Sequence, residues 1–350
     1  MSIAFVGDYF NEYDEEKGAP FSGPAGSVLR GCLRQVGIDP KECLFTSVFN
    51  QRPAGGRVEY FLGSKAGAIP NFRAIENNQF VQAEYYEELV RLYRELAAFR
   101  PNVVVAFGNT ALWALTKKVG IKAYRGSALE SFDIAAQLSD HIIPYTGPEK
   151  FKVLPAWPPA TVIRQWDLRP ILLADMDKAK RQSSTPVLTR PSHLLYMEPS
   201  LQDIEDFYEE FLVGQPFLSC DIETKAKTIT EVGFSLADSS RALIIPFWDR
   251  KQADGNYWRT SEDEAAAWRW VARICDEFPL IGQNFQYDMK YLWRTVGIPC
   301  PKYLDDTMLM HHSLQPEMQK GLGFLASIYT DEPSWKFMRT THDTLKKEDL

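Results

Sequence analysis

The sequence has little cysteine: Cys32, Cys43, Cys220, Cys275 and Cys300 stand far apart, an odd number with no C-x-x-C pair. That spacing argues against a zinc finger and an iron–sulfur cluster, and it predicts a reducing, cytoplasmic compartment. Long apolar runs are missing as well. No stretch approaches the ~20 residues that cross a bilayer. The opening Met1-Ser2-Ile3-Ala4-Phe5-Val6-Gly7 enters a strand pattern directly, without the basic and apolar regions of a signal peptide. An excess of positive charge is also lacking. The formal net charge of −7 does not suggest a wholly basic nucleic-acid binder. It leaves room for a metal-dependent nuclease, whose acids sit in the site while basic grooves lie elsewhere.

What is present fits a globular protein, with 45% apolar and 24% charged residues in a chain of 350, long enough for two domains. The first half alternates strand and helix patterns. Ile3–Gly7, Leu44–Phe49, Asn102–Gly108 and Val153–Trp157 are apolar runs bounded by turn residues. Between them, Ser27–Val36 and Gln82–Phe99 carry the helical period, with Leu89, Leu92, Tyr93 and Leu96 on one stripe. Asn109-Thr110 reads as a cap for the helix that follows. Ala54–Phe80, rich in Gly, Asn and Ala, reads as a long surface excursion. This alternation predicts an α/β domain with a parallel sheet. Lys178–Pro186 is basic, then polar, then broken by proline, and reads as a linker. The expected organisation is a first domain over 1–182, a linker over 183–190 and a second domain over 191–350.

The second half is organised around Phe217-Leu218-Ser219-Cys220-Asp221-Ile222-Glu223-Thr224. An apolar run there delivers two acids one residue apart, and on a strand such residues share a face. Two carboxylates on one face repel unless a cation lies between them, so the pair is either a divalent-metal site or two solvated acids at a strand end. Further strands are expected over 229–236 and 241–246, and a capping-box pattern at Ser261–Glu264 opens a helix to about Glu277. Leu280–Asn284 then reads as a short buried strand. Asp288 follows at the head of a helix, where an acid suits the dipole and also suits a third ligand role.

Five strings of the first half come in a telling order. They are Gly7-Asp8 with Gly18–Gly26, Thr46–Pro53, Arg100–Ala111, Arg125-Gly126, and Leu154–Arg164. Together they resemble the uracil-DNA glycosylase superfamily in its thermophile-type branch, over nearly all of residues 1–180. The resemblance implies a base pocket in which Asp8 falls at the water-activating acid and Phe21 at the base-stacking position. Ser47 takes the place of the uracil-reading Asn, and a hydroxyl cannot make an amide's bidentate contact. Pro158 takes the place of the His of the His-Pro motif and has no donor. The cluster cysteines of that branch are absent, so no iron–sulfur cluster is implied. The expectation is a DNA-binding or architectural module with a pocket that does not excise, and Asp8 as a loop or capping acid.

Asp221-Ile222-Glu223-Thr224, then Gly282-Gln283-Asn284 with Tyr287-Asp288, then Tyr303–Glu317 and Gly321–Tyr329 resemble the DEDD 3′–5′ exonuclease domains of family A DNA polymerases. The resemblance covers about 190–340 and implies an RNase H-like fold with a mixed sheet. It implies two divalent ions, Mg²⁺ or Mn²⁺, held by Asp221, Glu223 and Asp288. Thr224 and Asn284 would position the terminal nucleotide, and Phe285 would help separate strands. Asp306 with Thr307 would buttress the site. The family's third motif, Tyr-x-x-x-Asp, is missing from Trp335–Leu350, where His342 and Asp349 are seven apart. The chain stops about where that motif would begin, which reads as a truncated piece of a longer polymerase or an interrupted reading frame.

The combination resembles the N-terminal part of phage-type family A DNA polymerases. It implies a proofreading exonuclease acting on single-stranded 3′ ends of primer–template DNA, a polymerase domain in the parent chain, no membrane association and an infected bacterial cytoplasm. A non-catalytic DNA-binding fragment and uracil excision by the first domain are the alternatives.

Overall fold

The structure, a computed structural model, describes residues 2–138 and 145–334. The chain forms two compact units, one of Met1–Arg190 with Gly323–Leu350 and the other of Pro191–Leu322.

The first unit is built on a five-stranded sheet. Strands β1 (Ile3–Tyr9), β2 (Leu44–Phe49), β3 (Val103–Phe107), β4 (Leu129–Glu130) and β5 (Lys152–Ala156) lie in the order β2-β1-β3-β5-β4. All neighbours are parallel except β4 with β5. Buried on both faces, β3 reads Val-Val-Val-Ala-Phe without alternation, as a central parallel strand should. Helix α1 (Pro24–Gln35) begins with proline in its first turn, and α2 (Tyr86–Phe99) buries Leu89, Val90, Leu92, Tyr93 and Leu96. Arg100 adopts φ 51° and returns its N–H to the Leu96 carbonyl, which ends α2 before Pro101. Helices α3 (Gly108–Thr116) and α4 (Arg169–Gln182) also belong to the unit.

Two expectations for this half are refined. Ala54–Phe80 is largely exposed, as a surface excursion should be, but it is anchored: Phe61, Ile69, Phe72 and Ile75 are buried in the same core as β1 and α2. Short 3₁₀ turns join these anchors, a pattern with neither a period of 2 nor one of 3.6. The polar stretch after Asp8 also holds a short helix, Glu12–Lys17. There the Asn11 side chain accepts from the Tyr13 and Asp14 N–H groups while the Asp14 carboxylate takes the Asn11 N–H.

The second unit carries a mixed six-stranded sheet. Its strands are β6 (Leu194–Tyr196), β7 (Leu218–Lys225), β8 (Thr228–Leu236), β9 (Arg241–Pro246), β10 (Leu280–Gly282) and β11 (Tyr303–Asp306). The order is β11-β10-β7-β8-β9-β6. β7, β8 and β9 are antiparallel neighbours, while β10 runs parallel to both β7 and β11. Helices α5 (Leu201–Phe207) and α6 (Ser261–Glu277) bury Ile204, Phe207, Val271 and Ile274 against Leu218, Cys220 and Ile222 of β7. The cap of α6 is Thr260, whose hydroxyl accepts the Asp263 N–H at 3.1 Å, one residue earlier than the Ser261 pattern suggests. Helices α7 (Gln286–Tyr291) and α8 (Thr307–Leu314) follow β10 and β11.

The expected second domain over 191–350 loses its last part to the first unit. Most of the helix α9 (Leu322–Tyr329), with Thr330 after it, packs on Arg125 and α4. Lys178 of α4 donates to the carbonyls of Gly126 (2.8 Å), Ser327 (2.6 Å) and Thr330 (2.6 Å), so a buried ammonium closes the C-terminal end of α9. Arg125 binds Asp175 at 2.6 Å, meets the Ser327 hydroxyl, and lies over the Phe324 ring. At Gly126, φ 74°, a Cβ would stand 2.4 Å from the Ser327 carbonyl oxygen, so only glycine admits this approach. Trp335–Leu350, where the third exonuclease motif is sought, lies outside the described residues.

Candidate functional site

Strand β7 alternates buried and exposed residues from Leu218 to Glu223, so Cys220 and Ile222 enter the core while Asp221 and Glu223 share the outer face. Gly233 of β8 stands opposite Asp221 and presents no side chain there. Glu231 stands opposite Glu223. Burial, and then the Glu223 charge, push the Glu231 carboxyl above its ordinary value. Sequence reading missed Glu231 because the pairing register shifts between Ile229 and Glu231, which defeats counting back from the hairpin turn.

Asp288 is buried in the first turn of α7, and its Oδ1 accepts the Ile222 N–H at 3.0 Å. The third acid is thereby fastened to the strand residue between the first two. Burial pushes its carboxyl up to about 6, the Ile222 hydrogen bond opposes this, and the charges of Asp221 and Asp306 add to it. Asp306 is buried and committed elsewhere. Its oxygens accept the N–H groups of Asn284 (3.0 Å), Phe285 (2.7 Å) and Met308 (2.8 Å). It therefore caps α8 and holds the loop that leads into α7, the buttress expected from its position.

The remaining predicted residues divide. The Thr224 hydroxyl and the Tyr287 hydroxyl are 2.8 Å apart, which adds Tyr287 to the residues beside the acids. Asn284 is exposed at φ 57°, a left-handed conformation that asparagine tolerates. Phe285 corrects an expectation. It is fully buried, packed against Gly282 in the core, and cannot reach a DNA strand.

Hard carboxylate oxygens suit Mg²⁺ or Mn²⁺. The mutual charge of Asp221, Asp288 and Asp306 is of the kind a cation relieves. Among the described residues, however, no three His, Cys, Asp or Glu side chains converge closely enough to hold an ion. The donor set fits in chemistry, and its side chains would have to draw together around a cation.

In the first unit, Asp8, Phe21, Ser47 and Pro158 do meet, lining one cavity of about 610 Å³ with Tyr9 and Arg164. Asp8 Oδ1 accepts the N–H groups of Thr110 and Ala111, both at 3.1 Å, and so caps α3 from a distant strand. The helix starts at Gly108, and its cap is Asp8 rather than Asn109-Thr110. Burial pushes the Asp8 carboxyl up to about 6 against these two hydrogen bonds. Phe21 has φ 56°, and its carbonyl accepts from Arg30 at 2.7 Å. A Cβ at Gly26 would overlap that carbonyl at 1.6 Å. This glycine and Asp14, which accepts the Ser22 N–H at 2.7 Å, hold Phe21 in its strained turn. Ser47 is buried with its Oγ close to Gly7.

A parallel-sheet unit with a helix-capping acid in its cavity, followed by a mixed sheet with paired acids, defines the class as an α/β protein of two units. The model of the uracil DNA glycosylase superfamily matches residues 2–211, and the chain belongs to that superfamily. It is similar to the type-4 uracil-DNA glycosylase of Thermotoga maritima, 28% identical over 182 residues, which are 51% of this chain and 76% of that protein. The type-4 enzyme of Sulfurisphaera tokodaii is 24% identical over 186 residues, 53% of this chain and 71% of that protein. A DNA polymerase of Bacillus phage SP01 is 22% identical over 332 residues, 86% of this chain, so the chain spans 31% of that polymerase's length. Among solved structures, the EXD2 exonuclease domain soaked in Mg and GMP covers 43% of this chain and 83% of its own, at 13% identity and a TM-score of 0.26, too slight a likeness to argue from.

Proposed function

We propose that the second unit is a divalent-metal-dependent 3′–5′ exonuclease module of the DEDD group, serving proofreading in a phage-type family A DNA polymerase. The observation that carries this reading is the fastening of Asp288 to Ile222, which brings a buried acid beside the exposed pair Asp221 and Glu223. Asp221, Glu223 and Asp288 would hold Mg²⁺ or Mn²⁺, which when bound would lower the pKa of a coordinated water and offset charge on the scissile phosphate. Thr224, with its Tyr287 contact, and the exposed Asn284 edge would orient the terminal nucleotide. The substrate is a single-stranded 3′ end, and the polymerase domain of the parent chain and the cytoplasm of an infected cell are its proposed setting.

The test is hydrolysis of a 5′-labelled single-stranded oligonucleotide with Mg²⁺ or Mn²⁺. Shortening from the 3′ end that is lost in Asp221→Ala supports the assignment, and equal activity in that variant defeats it.

A second reading concerns the first unit. The cavity that gathers Asp8, Phe21, Ser47 and Pro158 favours a base pocket, and superfamily membership favours excision. Ser47 offers a hydroxyl where the superfamily reads uracil with an amide, and Pro158 offers no donor to a leaving base. The unit is therefore proposed as a DNA-binding module without excision. Abasic product from a uracil-containing oligonucleotide would overturn this.

A further inference from the structure

The second unit holds a cavity of about 440 Å³ that the acidic site does not use. It opens where β7 ends, and Lys225 lies on its wall. Lys225 is two residues beyond Glu223, about 6.6 Å along the strand. The other walls come from the start of β8, from the 247–256 loop, from Glu264 and Trp268 one turn apart on α6, and from Thr295 and Val296. The size lies within the range of ligand pockets, and the lining combines aromatic surface with a few polar groups.

Both indoles in the lining are held rigidly. Trp268 stacks on Phe247 with ring centroids 3.5 Å apart and planes 11° from parallel. Lys225 Nζ sits 3.7 Å from the centroid of the Trp248 ring, and Trp248 bridges to Asn256 across the loop. The lining holds one lysine, Lys225, and two acids, Asp254 and Glu264, so the pocket does not suit a free phosphate. Flat aromatic walls with amide and carboxylate acceptors at the rim suit a neutral, planar, hydrogen-bonding ring.

We infer that this cavity takes one unpaired nucleobase of single-stranded DNA, a step or two upstream of the 3′-terminal nucleotide bound at Asp221 and Glu223. The inference rests on the exonuclease reading for the placement of the terminal nucleotide. The pocket would hold the strand melted: a base lodged in this cavity cannot pair with a template. It also supplies the aromatic contact that buried Phe285 cannot make.

The experiment is fluorescence anisotropy with 5′-fluorescein dT oligonucleotides two and six nucleotides long, in EDTA to suppress hydrolysis. Stacking of one base is lost on truncation of its platform, so Trp248→Ala should weaken the six-mer about tenfold and leave the two-mer little changed. Lys225→Gln, a milder change, should weaken the six-mer in the same sense. Circular dichroism of each variant establishes that it folds. Six-mer affinity equal to wild type in both folded variants would overturn the inference. The outcomes separate it from the exonuclease reading. Metal-dependent 3′ shortening with unchanged six-mer affinity removes the pocket and keeps the nuclease. Weakened six-mer binding without any shortening keeps the pocket and removes the nuclease.

Discussion

Asp288 Oδ1 accepts the backbone N–H of Ile222 at 3.0 Å, so the acid of α7 is tied to β7 midway between Asp221 and Glu223. One oxygen of Asp288 is structural, and the charge on the group is what a cation would use. Replacing it by Asn keeps an acceptor for Ile222 and removes the charge. Asp288→Asn should retain its urea midpoint at pH 7 while losing 3′ hydrolysis on the order of 10–100-fold or more. A variant that loses midpoint and activity together would mark Asp288 as a packing residue.

Asp306 illustrates the opposite case, an acid whose oxygens are spent on the fold. Three backbone N–H groups, of Asn284, Phe285 and Met308, depend on it. Asp306→Ala should destabilise the second unit by about 3 kcal/mol, from the lost cap and buried donors without acceptors. Denaturant unfolding measures this, and Asp306→Asn should recover part of the loss.

Asp8 links stability to pH. Its folded carboxyl is held up at about 6, against 3.8 ordinarily, so the folded state binds this proton more tightly than the unfolded chain. The stabilising contribution is fully present below the unfolded value and is lost as pH rises through about 6. Asp8→Asn keeps an acceptor for the Thr110 and Ala111 N–H groups and carries no charge. The gap between wild type and Asp8→Asn should therefore move in favour of the variant between pH 4 and 7, by about 2 kcal/mol once partial exposure is allowed for. Urea midpoints across that range test it, and parallel pH profiles would contradict it.

The return of the chain after Gly323 depends on a buried charged cluster. Asp175→Ala leaves the Arg125 guanidinium buried without its carboxylate partner, and a loss of about 3–5 kcal/mol is expected. Lys178→Met removes the donor to three carbonyls and should release α9 from the first unit. Limited proteolysis near Gly323–Thr330 should then be faster than in wild type.

Much of the frame was legible in the sequence where one physical signal dominates. The unbroken apolar run at Val103–Phe107 announces a central parallel strand, and the alternation from Leu218 to Glu223 places Asp221 and Glu223 on one face. What was not legible depends on partners distant in sequence. Ala54–Phe80 looks like surface because its anchors are too widely spaced to form a period, and only the core of β1 and α2 explains Phe61 and Phe72. The cap of α3 comes from Asp8, a hundred residues earlier, which no local pattern announces. Phe285 sits among polar neighbours in the sequence, and its burial follows from the close approach at Gly282. Glu231 was hidden by a one-residue bulge.

The most direct test of the paired acids is calorimetric titration of the protein with Mn²⁺. The account predicts saturable binding in the wild type that Asp221→Ala abolishes and that Asp306→Asn, if folded, largely retains. No binding at millimolar Mn²⁺, or binding unchanged in Asp221→Ala, would contradict a metal site at Asp221, Glu223 and Asp288.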